Sequence, residues 1–477
     1  MTTTIISKRS FSAVTLCASL ALSGCDLAKD IPVGTGYAAR NICSQYFLSG
    51  IDLKTATHRY VAPAVKPLPL LWAIEVDEVN RTVSVRDQIF INQNRNTAYY
   101  REGVGCTLLH DRTPEQLDAQ LPLIPPPRDA TAAPWPLGDG PEDAGLPGID
   151  YPALGAALDA AFAETGPTPI NTLAVTVVHQ GQLIAEQYAN GIGPDTRLIG
   201  WSMTKSFTAT LIGLLYDQAR LTLDAPAPVA EWQGTDKAAI TLVDLLHMAA
   251  GLEWSETAQG DTPDQGRMLF VAPDFASYYA AKPVVAEPGT RFNYSTGVSS
   301  LLGRIAQDTI GGSLADTYHF MNDTLFHPLG IDDAVLEFDT LGQPAGGSGL
   351  YLSARDWARL GLLYARDGNW FGRQILSSDW IDQALTPSPA NPIYGYQIWL
   401  NTAGKIWPSL PEDSFAFRGF QQQIVLVIPR HDLIIVRLGV TVDGGATGTG
   451  QSGFNVEQLA NSIIAALPPH DIGESLP

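Results

Sequence analysis

Between Leu70 and Leu109 apolar and polar residues alternate over short runs, interrupted at Asn80-Arg81 and Asn92-Gln93-Asn94. Alternation with a period of two places successive side chains on opposite faces of a sheet, so residues 25–120 are predicted to form a small β-rich unit. Residues 121–150 are dense in Pro, Gly and Ala and read as a linker or an extended surface strap. From 151 to 470 the pattern is that of one large α/β (α+β) domain. It opens with an amphipathic helix, Tyr151 to Glu164, and continues into a hairpin, "NTLAVTVVHQGQLIAEQYA", with Gln180-Gly181 at the turn. Near the C-terminus "QQQIVLVIP" and "LIIVRLGV" flank the turn Pro429-Arg430-His431-Asp432, and a last helix starts near Asn455.

One run resists a purely structural reading. "LIGWSMTKSFTATLIGLL" (Leu198 to Leu215) is apolar almost all round after residue 205, as in a buried helix, yet it carries Ser202 and Lys205. Lysine is seldom buried unless paired. At i and i+3 the two side chains share a helix face. Serine is a weak nucleophile until a base takes its proton. A lysine can be that base if burial or a nearby positive charge lowers its pKa from about 10.4 toward neutrality.

Composition changes this picture little: the 477 residues are 45% hydrophobic and 16% charged, ordinary for a globular chain of more than one core. The net charge of −20 argues against nucleic acid as a partner, because phosphates require Lys and Arg. The N-terminus says more. Lys8 and Arg9 precede an apolar stretch, Phe11 to Leu22, too short to span a bilayer. It ends in Leu22-Ser23-Gly24-Cys25, which resembles a bacterial lipoprotein cleavage box. That resemblance implies removal of residues 1–24, acylation of Cys25 and a lipid anchor on a bacterial envelope membrane, on the periplasmic side. Of four cysteines, Cys17 leaves with the signal and Cys25 is acylated. The remaining Cys43 and Cys106, in an oxidising compartment, suggest one disulfide; the alternative is two buried free thiols. With no CxxC or HExxH pattern and scattered histidines, no metal site is expected.

The blocks around Ser202 together resemble the serine β-lactamase and penicillin-binding protein superfamily. The likeness is nearer to class C-type enzymes and to the 6-aminohexanoate-dimer hydrolase and esterase group. It runs over 151–467, through "ITLVDLLHMAAGLEW", "EPGTRFNYSTG", "GGSGLYLSARDWARLGLLYARDGNWFG", "YGYQIWL" and "FRGFQQQIVLVIPRHDLIIVRLG" in that order. The resemblance implies an antiparallel sheet flanked by helices, with a helical subdomain. It also implies an acyl-enzyme mechanism that needs no cofactor. Ser202 would be acylated, with Lys205 and Tyr294 as proton-transfer partners and the backbone N–H groups of Ser202 and Phe420 as the oxyanion hole. Trp201, Thr296, Phe417, Arg418 and Gly419 would border the substrate.

Two positions depart from the family pattern. Thr296 stands where the Tyr-x-Asn motif has Asn, and Phe417-Arg418-Gly419 where β-lactamases have Lys-Thr-Gly. Phe417 cannot bind a substrate carboxylate, and Arg418 is expected on the opposite strand face. An exported ester or amide hydrolase acting on a small molecule is therefore the leading expectation. A β-lactamase or D,D-peptidase, and a non-catalytic envelope binding protein on this scaffold, are its alternatives. Tyr396 and Trp399 are pocket or packing aromatics, and Arg355 with Asp356 is expected to make a helix-start pair.

Overall fold

The computed structural model describes residues 30–65, 72–88, 94–124, 133–140, 145–166, 169–257, 262–441 and 453–469. Cys25, the expected signal segment and the Gly-rich stretch at 442–452 lie outside the described residues. The first unit opens on a helix, α1 (30–43), that runs on through Ser44–Leu48, with a second helical stretch over 53–65. A four-stranded antiparallel meander follows: β1 (Trp72–Asp77), β2 (Thr82–Asp87), β3 (Arg95–Arg101) and β4 (Gly105–Leu108). A short helix, α2 (Pro114–Asp118), is closed by a capping box between Thr113 and Gln116.

The alternating pattern thus marked the sheet, while the preceding third of the unit is helical. Gly34 and Gly36 disguise that helix, since glycine weakens helices by about 1 kcal/mol. Packing supplies the reason for Gly36: a Cβ there would lie within 3.0 Å of Phe270 atoms. The first unit also shares its core with the rest of the chain. Cys43 and Cys106 are disulfide-bonded. Arg40 pairs with Glu337 at 2.8 Å, and Glu337 also accepts from Ser44 Oγ at 2.5 Å and from the Cys106 N–H at 3.2 Å. Glu337 is 1% exposed, so removing either charge would leave the other buried and unpaired.

The larger unit is built on a six-stranded antiparallel sheet. After α3 (Tyr151–Phe162) come β5 (Thr172–His179), β6 (Gln182–Tyr188) and a short β7 (Leu198–Ile199). The β5–β6 turn is the one expected: Gln180 and Gly181 both have positive φ, as a tight hairpin requires. The helices α4 (Met203–Asp217), α5 (Leu242–Leu246), α6 (Asp264–Phe270), α7 (Phe275–Ala280), α8 (Thr296–Ile310) and α9 (Leu314–Met321) follow. Next are β8 (Val335–Leu336), β9 (Leu350–Leu352) and α10 (Ala354–Ala365). A two-stranded ribbon, β10 (Asn369–Trp370) and β11 (Arg373–Gln374), and α11 (Ser378–Ala384) lead into β12 (Trp399–Leu400). The chain ends with β13 (Phe415–Gly419), β14 (Gln423–Ile428), β15 (Leu433–Gly439) and α12 (Val456–Ala466), capped by Asn455.

The order across the main sheet is β12-β13-β14-β15-β5-β6, and β7, β9 and β8 form a small separate sheet. Ile424, Leu426 and Ile428 pack with α3 and α12, while Val425 and Val427 join the core formed with α4 and α10. Burial on both faces explains why this strand is continuously apolar. Within 133–140 the chain is a strap: Arg359 of α10 donates to Pro136 O at 2.9 Å and Gly138 O at 2.7 Å, and pairs with Asp139 at 2.7 Å. Arg355 and Asp356 do not pair with each other. Arg355 holds Glu186 at 2.5 Å and Asp356 holds Arg359 at 2.5 Å, because adjacent helix residues face different directions. Among the described residues no helix is long and apolar enough to cross a membrane.

Candidate active site

Ser202 stands at the N-cap of α4 but does not cap it: its backbone is helical (φ −64°, ψ −9°) and its side chain accepts no backbone N–H. A serine in the usual capping geometry contributes about 1 kcal/mol to a helix. Here the hydroxyl is turned to Lys205, whose Nζ lies 3.1 Å from Ser202 Oγ. Lys205 is 1% exposed. Its Nζ also contacts Thr296 Oγ1 at 2.9 Å and Gly347 O at 2.8 Å, so three partners match its three possible N–H donors. Burial pulls its pKa down to about 8, and the Glu256 carboxylate opposes that fall.

Tyr294 comes from the loop before α8, placing its ring 5.1 Å from Lys205 Nζ. Its phenol faces the Ser202 side chain, which acts to lower its pKa. Burial, reinforced by Glu256, raises this phenol well above its ordinary pKa, while Ser202 and Arg418 work the other way. Trp399 packs on the ring at 5.6 Å. The main-chain segment before Ser202 is held from several sides. Trp201 has a positive φ of 48°, a conformation costing a bulky residue about 1–3 kcal/mol. Its indole N–H donates to Gln421 Oε1 at 3.2 Å, Phe420 meets it edge-on at 5.6 Å, and Tyr37 of α1 lies parallel to it at 6.2 Å. Trp201 is therefore a buried strut.

Strand β13 runs beside this segment. A Cβ on Gly419 would fall 2.2 Å from Gly200 O, so only glycine allows this approach, which brings Phe420 next to the Ser202 turn. Phe417 is 2% exposed and packs edge-on against Tyr364 of α10, away from solvent. Arg418 lies between Trp399 (5.3 Å) and Trp407 (5.7 Å), and its charge acts on Tyr294. The structure thus brings together Ser202, Lys205, Tyr294, Thr296, Gly419 and Phe420. It places Arg418 at the border of this group and Phe417 in the core.

Glu256 belongs to the same cluster and was not singled out in the sequence. It accepts from Thr296 N–H at 2.8 Å, Thr296 Oγ1 at 2.5 Å and Trp254 Nε1 at 2.6 Å. Forty residues of chain separate it from Thr296, and a glutamate in the polar run "SETAQGD" carries no spacing signal.

A family model described as Beta-lactamase matches residues 159–448, more than half of the chain. The chain belongs to the β-lactamase family. The 6-aminohexanoate-dimer hydrolase of Paenarthrobacter ureafaciens is 25% identical over 228 residues, 45% of this chain and 57% of that protein. The D-aminopeptidase of Gluconobacter oxydans (strain 621H) is 26% identical over 193 residues, 37% of this chain and 34% of that protein. The match therefore spans less than two thirds of either relative's length. A Bacillus anthracis structure described as a 6-aminohexanoate-dimer hydrolase superimposes with TM-score 0.54 at 23% identity, covering 72% of this chain and 91% of the other. A penicillin-binding protein homologue from Caulobacter crescentus gives 0.51 at 16% identity, covering 68% and 99%. These structures share with the chain the fold of β-lactamase-like serine hydrolases: an antiparallel sheet flanked by helices. The cluster lies wholly within the stretch that the β-lactamase family model matches, apart from Tyr37 against Trp201.

Proposed function

We propose that the protein hydrolyses ester or amide bonds of small molecules through an acyl-enzyme on Ser202. The observation that carries this reading is the buried Lys205 amine, 3.1 Å from Ser202 Oγ, with a pKa lowered to about 8. At pH 7 roughly one such lysine in ten is neutral, enough for a general base that is continually replenished. A neutral amine has two N–H groups and one lone pair. Thr296 Oγ1 and Gly347 O take the former, and the lone pair accepts the Ser202 proton as Oγ bonds to the substrate carbonyl carbon.

The developing oxyanion is held by the N–H groups of Ser202 and Phe420. Tyr294 acts as a neutral phenol rather than a tyrosinate, since burial holds its proton firmly. Beside Ser202 and under Lys205 Nζ, 5.1 Å from its ring, it gives its proton to the leaving group and regains one from the Lys205 ammonium. A water then repeats the sequence on the acyl-enzyme, with Lys205 again the base. The disulfide between Cys43 and Cys106 supports export to an oxidising compartment, and with it a Cys25 lipid anchor on the periplasmic side of the envelope.

A fluorophosphonate probe should form an adduct on Ser202 and none on Ser202→Ala. Absence of the adduct under conditions that label a known esterase would refute the proposal. Equal activity of wild type and Ser202→Ala across an ester and amide panel would instead favour a binding protein. One observation favours a second reading, a β-lactamase or D,D-peptidase. Arg418 Nη1 has no hydrogen-bond partner among the described residues, and its charge and that of Tyr294 act on each other, so it is the cation at this site that a substrate carboxylate would use. Nitrocefin turnover or capture of a fluorescent penicillin would decide for it.

A further inference from the structure

The hydroxyl of Thr296 has a fixed direction. Glu256 Oε1 receives its proton at 2.5 Å, and an ionised carboxylate can only accept. The lone pairs of Thr296 Oγ1 are consequently left for Lys205 Nζ at 2.9 Å. Gly347 O, also acceptor only, takes a second Lys205 N–H at 2.8 Å. Two of the three directions around Nζ must therefore carry N–H bonds, and the third points to Ser202 Oγ at 3.1 Å. Glu256 is itself held from behind, its Oε2 accepting from Thr296 N–H and Trp254 Nε1 at 2.8 and 2.6 Å.

We propose that Glu256 is a positioning residue that acts through Thr296 to aim the lone pair of Lys205 at Ser202. The inference rests on the roles of Ser202 and Lys205 proposed above. During acylation the Ser202 proton moves to Nζ, giving an ammonium as the Oγ–carbon bond forms, while the Thr296 proton stays where it is, directed at Glu256. The charged and titratable groups facing Lys205 are the Tyr294 phenol, Glu256 beyond Thr296, and Arg418 beyond Tyr294; the Gly347 loop presents only backbone. Glu256 thus has a second effect, favouring the ammonium by its charge.

Replacing Glu256 with glutamine separates these effects. The amide oxygen must replace Oε2, where it serves two N–H donors, so the NH2 group faces Thr296 Oγ1. The threonine proton then turns toward Nζ and competes with Ser202 for the lone pair. The measurement is the rate of fluorophosphonate labelling from pH 5.5 to 10 for wild type, Glu256→Gln, Thr296→Val and the double variant. Glu256→Gln should lower the alkaline plateau about tenfold or more, as expected when a general base is misdirected. Its midpoint should move to lower pH, because a neighbouring anion has been removed. Thr296→Val should lower the plateau similarly, and adding Glu256→Gln to it should cost less than about threefold more, since the two residues act in series.

An unchanged plateau and midpoint in Glu256→Gln, or losses that multiply fully in the double variant, would overturn the inference. Wild type that does not label refutes the acyl-enzyme reading itself; labelled wild type with an indifferent Glu256→Gln refutes only this one. If Glu256→Gln does not fold, Thr296→Ser against Thr296→Val makes the same test. Serine should keep the wild-type plateau and midpoint, and a serine variant as slow as the valine variant counts against the relay.

Discussion

Substituting Gly419 by alanine tests the proposed oxyanion geometry with a single methyl group. The backbone there is extended (φ −133°, ψ 164°), so alanine is conformationally permitted and any loss traces to contact. Ordinary van der Waals contact begins near 3.4 Å, and the added Cβ would meet Gly200 O at 2.2 Å. The strand and the Ser202 segment must therefore separate by about 1 Å, a misplacement able to cost about 10²-fold in rate. If the separation also withdraws the Phe420 N–H from the oxyanion, the loss reaches about 10²–10³, or 2.7–4 kcal/mol. Overpacking should lower stability by about 1–3 kcal/mol. The assay is kcat and KM on an activated ester, with active-site titration to count competent enzyme and thermal melts to confirm folding. We expect kcat to fall and KM to stay near wild type. A folded Gly419→Ala enzyme with wild-type kcat would refute the claim that this approach builds the oxyanion site.

Four further outcomes follow from the structure. If neutral Lys205 is the base, kcat/KM rises with pH through a midpoint near 8 and then levels off. The depressed lysine also means the unfolded chain binds more protons between about 8 and 10.5, so folding stability rises over that window by about 3 kcal/mol; denaturant titrations at each pH should show the rise in wild type and not in Lys205→Met. Tyr294→Phe should slow ester hydrolysis by about 10²-fold or more while leaving the Lys205 midpoint near 8, read from pH–rate profiles of both proteins. Reducing the Cys43–Cys106 bond, which spans 63 positions of sequence, should lower stability by about 4 kcal/mol on the chain-entropy model, measured by denaturant unfolding with and without reductant.

Local chemistry decided what was legible in the sequence. Gln180-Gly181 and Asn455 announced a turn and a helix start because each residue type meets a backbone requirement within its own few positions. Ser202 and Lys205 could be paired because a helix face relates them. Glu256 could not be found that way. Its partnership with Thr296 exists only after α6 and α7 have brought the two segments together. Helix α1 escaped for a related reason: its glycines lower local propensity, and the packing against Phe270 that compensates is contributed from more than two hundred residues away. The position of Arg418 between two indoles likewise depends on Trp407, in a loop whose placement no periodicity encodes.

The contact of Tyr37 with Trp201 bears on how this enzyme can be recombined. The residue preceding Ser202 is braced from α1, outside the 159–448 stretch that the β-lactamase family model matches. A chimera carrying only that stretch would transplant Ser202, Lys205 and Tyr294 intact yet leave one face of a strained indole bare. Exchange boundaries for this protein therefore belong ahead of α1, and sequence changes at 37, 201, 420 and 421 should be made as a set.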